Sequence, residues 1–263
     1  MDSAPPVRQR MGRKRVSRAT LTKVRIMSDT FKNRYTAGAS LATQLAHYAD
    51  RDDVIVLALP RGGVPVGFEV ARRLHAPLDV LVVRKLGVPG YPELAMGAIA
   101  GGEVRVLNRD LLRQLRIHDK AVDRVVEDER HELARRELAY RGPRPPLPLR
   151  GRTIILVDDG LATGATMYAA IVALQRQHVA RIVVAVPVAS REAYEALASA
   201  ADEVVSVLTL EQFFGVGRWY ENFEPTSDDE VRELLSRAEQ LYLAHQEKAR
   251  ASSADQLVAN RMS

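Results

Sequence analysis

Short apolar runs alternate along this chain with longer segments in which apolar residues recur at helical spacing. Residues 54–59, 78–83, 104–107, 153–157, 181–186 and 203–208 are such runs, rich in Val, Ile and Leu, and they predict strands covered on both faces. Between them, Leu41, Leu45 and Tyr48 share one helical face, and Pro65 stands near the first position of a second helix. Further helices are predicted over 165–178 and 191–200. A charged helix is predicted from Asp119 to Arg141, with Glu132/Arg136 and Glu137/Arg141 paired along a solvated face that binds nothing, and the prolines of 143–148 break the chain after it. A long loop containing glycine and proline is expected between residues 84 and 103. Ser227 followed by Glu230 predicts a capping box for a last helix. Strand and helix in alternation predict right-handed crossovers, an α/β fold with a mainly parallel twisted sheet flanked by helices, and ligands at the carboxyl ends of the strands.

Composition narrows this picture from outside. A chain of 263 residues, 46% of them apolar, can bury one large core, and no apolar run is long enough to span a membrane. With no cysteine there is no disulfide and no thiolate nucleophile. The six histidines show no close pairing of the metal-ligand kind, and each reads as a surface or satisfied core residue and not as a ligand. Eight basic groups against Asp2 give residues 1–26 a net charge of +7, so the remaining chain stands at −2 within the total of +5. Such a segment, without apolar periodicity, is expected to be a disordered tail able to hold nucleic acid or an anionic surface by charge. Its Arg-rich composition is also that of some transit peptides, and Met27 is an alternative start. The expected layout is a basic tail over 1–30, one domain over 31–247 and a polar tail over 248–263.

The chemistry concentrates in residues 157–167, which read Val-Asp-Asp-Gly-Leu-Ala-Thr-Gly-Ala-Thr-Met and join a predicted strand to a predicted helix. Two adjacent carboxylates at the end of a buried strand are costly unless a hydroxyl-rich or cationic partner receives them. Gly160, Gly164 and Ala165 let the backbone approach a ligand, and Thr163 and Thr166 add hydroxyls to the free N–H groups of the helix start, where the helix dipole favours an anion. Carboxylates for a sugar diol and a nest for a phosphate therefore adjoin, which implies a 5-phosphoribosyl ligand. A Walker loop is excluded because no Gly-Lys-Ser/Thr follows, and a dinucleotide fingerprint because the acidic pair stands where pyrophosphate would lie.

Residues 158–167 resemble the phosphoribosyl pyrophosphate (PRPP) signature of type I phosphoribosyltransferases, and the Leu161-Ala162-Thr163-Gly164 form is most similar to that of the adenine enzymes. From Phe31 to about Val231 the chain resembles bacterial phosphoribosyltransferase-like proteins of unassigned substrate, through residues 59–65, 83–87 and 92–97. The resemblance implies the type I fold with a small hood, formed mainly by 209–225 and the N-terminal segment, in a cytoplasmic homo-oligomer. It implies PRPP binding by Asp158, Asp159, Gly160, Leu161, Ala162, Thr163, Gly164, Ala165 and Thr166. It also implies a pyrophosphate loop at Arg61, Gly62 and Gly63 that often carries a non-proline cis peptide. Arg84 and Lys85, where the family's mobile loop begins, are expected to stabilise the leaving group.

The implied reaction is loss of pyrophosphate from the ribose anomeric carbon and attack by an acceptor nitrogen, through an oxocarbenium-like state. Mg²⁺ is expected to be held chiefly by PRPP oxygens and water, with Asp158 and Asp159 near it and indirect. Trp219 and Tyr220 are candidates to meet a planar acceptor, whereas Phe213 and Phe214 read as core. In the family's hypoxanthine-guanine enzymes an aspartate occupies the position of Ala162, while the adenine enzymes have alanine there and a glutamate in the mobile loop. Glu93 is the corresponding candidate for handling the acceptor's proton. The alternative function is a PRPP- or nucleotide-sensing regulator without turnover, contacting nucleic acid through its basic tail.

Overall fold

The computed structural model describes residues 30–101 and 104–261, without the side chains of Pro92, Glu93 and 253–261, so the basic segment 1–26 lies outside the described residues. In chain order the elements are α1 (Arg34–Gln44), β1 (Val54–Ala58), α2 (Gly63–Leu74), β2 (Leu78–Val80), β3 (Val83–Val88), β4 (Tyr91–Ala100), β5 (Val104–Leu107) and α3 (Arg109–Gln114). There follow α4 (Asp119–Arg141), β6 (Thr153–Val157), α5 (Ala165–Gln175), β7 (Arg181–Ser190), α6 (Arg191–Ala198), β8 (Glu203–Leu210) and α7 (Asp228–Arg261).

The main sheet has the order β2-β1-β6-β7-β8, and every neighbouring pair runs parallel. Side-chain alternation divides the buried strands between two layers. Val54 and Val56 of β1, with Ile155 and Val157 of β6, pack against Val66, Val70 and Leu74 of α2 and Leu41 of α1. Ile55 and Leu57, with Ile154 and Leu156, pack on the other face against Met167, Ile171 and Leu174 of α5. Continuous apolar strands are therefore required, because neither face meets water. From β1 the chain crosses to β2 on one side, and from β6 to β7 on the other. The loops after β1 and β6 thus part at a topological switch point, where a crevice opens at the strands' carboxyl ends.

Where a long loop was expected, β3, β4 and β5 form a three-stranded antiparallel sheet. Gly87 and Gly90 are features of that sheet: the pairing register shifts on either side of Gly87, and Gly90, at φ +82°, lies between β3 and β4. Leu86, Val88, Met96 and Ile99 bury one face of it with Val122, Val126 and Leu133 of α4 and with Val231, Leu234 and Leu235 of α7. The solvated face expected of α4 is only half present. Glu132 does pair with Arg136 at 2.7 Å, but Arg141 turns to Asp79, at 3.1 Å, and leaves Glu137 half-buried with its carboxyl pushed up by desolvation. At the start of α7, Ser227 Oγ accepts the Glu230 N–H at 3.1 Å, whereas the Glu230 carboxylate accepts the Tyr35 hydroxyl at 2.8 Å and so does not complete the expected box. Helix α7 continues through Arg261, so residues 248–261, expected as a polar tail, are helical.

Asp79 and Arg141 are each about one-tenth exposed, and Arg141 also donates to the Val80 carbonyl at 3.2 Å. Removing one member strands a buried charge, so Arg141→Ala is expected to lose about 3 kcal/mol in urea denaturation. A loss under about 0.5 kcal/mol, as for an exposed pair, would contradict this packing role.

Candidate active site

The two loops at the centre of the site begin where apolar strands end. β1 delivers residues 59–62 and β6 delivers Asp158 and Asp159, and since the strands are neighbours in the sheet their following loops touch. A methyl group on Gly62 would overlap the Asp159 carboxylate, and one on Gly63 would stand 2.8 Å from the Val157 carbonyl oxygen and 3.0 Å from Asp158 Cα. The Gly-Gly pair is therefore a condition of close approach. The Pro60–Arg61 peptide bond is cis. Arg61 is half exposed and lies 3.5 Å from Asp228, at the start of α7.

Both carboxylates are partly buried, and both titrate above the ordinary carboxylate value. Desolvation raises Asp158 most, and the neighbouring charge of Asp159 adds to it. Burial raises Asp159 as well, against the pull of Arg34. Arg34, at the first turn of α1, is the residue that the sequence reading missed. Its Nε donates to Asp159 Oδ2 at 2.8 Å, its Nη1 donates to the Glu224 carbonyl at 2.8 Å, and its guanidinium carbon lies 3.8 Å from the centre of the Phe223 ring. An acidic pair at a buried strand end calls for a cation, which was the available signal; the partner stands 125 positions away in sequence.

The remainder of the motif is tied down before α5 begins. Leu161 donates to the Val188 carbonyl at 2.8 Å and accepts from the Ser190 N–H at 2.9 Å, while Ser190 Oγ donates to the Ala162 carbonyl at 2.7 Å. These bonds pin the loop to the end of β7. Gly164 then takes the left-handed conformation, φ +71°, and α5 starts behind it. The first amides of a helix lack intrahelical acceptors. Tyr168 reaches back to the Gly164 carbonyl at 2.8 Å, and before it Ala162, Thr163, Ala165 and Thr166 are exposed. A cavity of about 610 Å³ opens beside them, lined by Lys85, Val106, Asn108, Thr163, Thr166 and Tyr168 among others.

The other sequence candidates divide. Successive strand residues face opposite ways, so Lys85 lines the same cavity as Thr163 and Thr166, while Arg84 points toward α4 and pairs with Glu129 at 2.6 Å. Glu93 belongs to β4, and its side chain lies outside the described residues. Tyr220 is buried, between Phe31 and Phe223, and its hydroxyl donates to the Asp159 carbonyl at 2.6 Å, so it supports the acidic loop from below. Burial and the nearby Asp159 charge hold that hydroxyl well above the usual tyrosine range. Trp219 packs partly buried against the same cluster, and its indole N–H has no acceptor among the described residues. Phe213 joins that cluster too. Phe214 departs from the expected core placement: it is 71% exposed, on the turn before Gly215.

The two carboxylates are thereby unequal, and so are their expected variants. Burial keeps Asp158 protonated to higher pH when folded than when unfolded, so its contribution to stability falls as pH rises from 3.8 through the raised value. Asp158→Asn retains an acceptor for the Asp159 N–H, which now bonds to Asp158 Oδ1 at 2.8 Å, and is expected to melt at or above the wild type at pH 7, with the gain narrowing on acidification. Asp159→Asn strands Arg34 and is expected to lose about 3 kcal/mol. Melts in the reverse order would contradict the pairing.

Comparisons with known proteins identify the family. The model of the phosphoribosyl transferase domain matches residues 29–221, a span that holds both loops and Arg34. A Mycobacterium tuberculosis protein whose name places it among the phosphoribosyl transferases, known from strains H37Rv and CDC 1551, is 48% identical over 225 residues. That alignment covers 86% of this chain and 49% of the relative, so the chain spans about half the length of the curated relatives it matches. The crystal structure of TT1426 from Thermus thermophilus superposes with a TM-score of 0.70 at 44% identity, covering 78% of this chain and 97% of that one. The central parallel sheet is thus part of a known architecture, and the chain belongs to the phosphoribosyl transferase domain family.

Proposed function

We propose that this chain transfers a 5-phosphoribosyl group from PRPP to a nitrogen of a planar, nucleobase-like acceptor and releases pyrophosphate. The observation that carries the reading is the direct packing of the Gly62–Gly63 turn on Asp158 and Asp159. It brings together two loops that each precede a helix, one beginning at Gly63 and the other at Ala165. A ligand with an anionic group at each end and a diol between them matches that spacing of chemistry.

In this reading the nest of residues 162–166 takes the 5-phosphate, and Asp158 and Asp159 accept hydrogen bonds from the ribose 2- and 3-hydroxyls. The diol supplies the donors that the desolvated pair lacks, which makes binding favourable where the bare carboxylates are costly. As the bond to pyrophosphate lengthens, positive charge grows on the ribose ring beside the two carboxylates, and their field favours it. Arg61 and the amides that follow it receive the leaving pyrophosphate, and Lys85 adds charge from the side of the nest. Arg84, held by Glu129, acts at most by orienting the hairpin that bears Lys85.

The donor set fits a hydrated Mg²⁺ held through the substrate. It offers two adjacent carboxylates, one already engaged by Arg34, and among the described residues the only three-residue cluster of potential metal ligands lies elsewhere. Asp158 and Asp159 would hold the ion by way of ribose oxygens and water, and the ion would neutralise pyrophosphate charge when bound. Above the ribose, Trp219 and the exposed Phe214 offer aromatic surface for the acceptor, while Tyr220 acts from beneath through Asp159.

Two outcomes test the reading. At a hundred times its dissociation constant, PRPP with Mg²⁺ is expected to add about 2.7 kcal/mol of stability to the wild type. Asp158→Asn is expected to lose that increment and about a hundredfold in pyrophosphate release with any base that the wild type accepts. An unshifted wild-type melt would count against the function. Glu93→Gln, in turn, is expected to lower turnover by about 10² to 10⁴ while leaving PRPP affinity nearly intact, with guanine and hypoxanthine poor acceptors. An unimpaired Glu93→Gln enzyme would remove Glu93 from the chemistry.

A further inference from the structure

At the far end of α2 from this site, three residues that are scattered in sequence meet. His75 caps the helix in the left-handed conformation, φ 54°, its N–H on the Ala71 carbonyl. Asp50, also left-handed at φ 57°, is tied to the same helix end through its N–H on the Leu74 carbonyl at 3.0 Å. His245 arrives from α7 and lays its ring on that of His75, with centroids 3.9 Å apart and planes 10° from parallel. Nδ1 of His75 lies 2.8 Å and Nε2 of His245 lies 3.0 Å from the same oxygen, Asp50 Oδ1. The twelve residues of α2, at 1.5 Å each, set this cluster about 18 Å from the Gly62–Gly63 turn.

We propose that Asp50, His75 and His245 bind a divalent metal of the zinc class, which pins α7 to the end of α2. Two imidazole nitrogens and one carboxylate are the donor types that select such an ion over Mg²⁺, which takes oxygen ligands. One atom from each residue lies within 4.8 Å of the others. Ligands about 2.0 to 2.1 Å from a tetrahedral ion stand about 3.4 Å apart, so the two contacts at Asp50 Oδ1 open by about half an ångström, and because an ion lies in the plane of each imidazole it binds, one ring also turns out of the present stack. Asp50 and His75 are exposed and His245 is partly so, which leaves the side chains free to make that adjustment. A cavity of about 290 Å³ lined by both rings gives the ion an entry path and water for its remaining position. Beyond the cluster, α7 is fixed to the body chiefly by Val231, Leu234, Leu235 and Ala238, all nearer its start, so a metal at His245 anchors the helix further along.

Titration calorimetry of the full chain with Zn²⁺, run in millimolar Mg²⁺, is expected to find one equivalent bound per chain. Co²⁺ in its place is expected to give a visible absorption band that saturates at the same ratio. Asp50→Asn and His245→Gln, each checked for native circular dichroism, are expected to weaken Zn²⁺ at least tenfold. The pair His75→Gln with His245→Gln is expected to abolish the band and the Zn²⁺-induced rise in melting temperature, while the response to PRPP stays that of the wild type. Absence of saturable binding by the wild type would overturn the proposal. Undiminished binding by the double variant would overturn it equally, by locating the metal at other residues.

Discussion

The site depends on one costly arrangement: two carboxylates, Asp158 and Asp159, kept largely out of water at the end of β6. Nothing in a protein holds such a pair without compensation. Here the compensation is partial and unequal, since Arg34 answers Asp159 at 2.8 Å while Asp158 receives the Asp159 N–H and retains a strongly raised pKa. In the proposed function, that unanswered remainder is what a ligand bearing hydroxyl donors relieves. Much of the surrounding construction serves to keep the pair there: Tyr220 holds the Asp159 carbonyl, Phe223 stacks on Arg34, and the glycine turn after β1 leaves space for the carboxylates.

The same arrangement explains why the hood and the first helix belong to the site although neither adjoins it in sequence. Arg34 reaches Asp159 only if the start of α1 is held, and besides the core packing of Leu41 a short pairing of Phe31 with Tyr220 holds it, with the Phe31 N–H on the Trp219 carbonyl at 2.8 Å. Phe31, Phe223 and Tyr220 then form one aromatic cluster with Val188 from the end of β7. Moving that cluster would move the cation away from the carboxylate, so the hood's packing and the charge balance of the site are a single physical system.

Much of this was legible in the sequence, for reasons that particular residues make plain. Buried parallel strands must be apolar throughout, so β1, β6 and β7 stood out as runs, and the acidic loop and the turn into α5 are contiguous from Asp158 to Thr166. What stayed hidden was of two kinds. Gly87, Pro89, Gly90 and Pro92 read as loop signals because a bulge and a tight turn use the same residues as a loop, and the hairpin appears only when β3 finds β4. The other kind is long-range pairing. Arg34 with Asp159, Arg141 with Asp79, and His75 with His245 lie 125, 62 and 170 positions apart, and no spacing rule reaches that far. Tyr220 is the instructive case, since its aromatic character suggested an acceptor platform and its hydroxyl, buried against Asp159, gives it a supporting task.

The central claim is that Asp158 and Asp159 are held desolvated to receive a ribose diol beside a phosphate nest. Calorimetric titration with ribose 5-phosphate and with 2-deoxyribose 5-phosphate compares two ligands that share the phosphate and differ by one hydroxyl. A hydrogen bond to a charged acceptor contributes about 1.5 to 3 kcal/mol, so the deoxy ligand is expected to bind at least about tenfold more weakly, and the difference is expected to vanish in Asp158→Asn with Asp159→Asn. Equal affinities for the two ligands in the wild type would contradict the account.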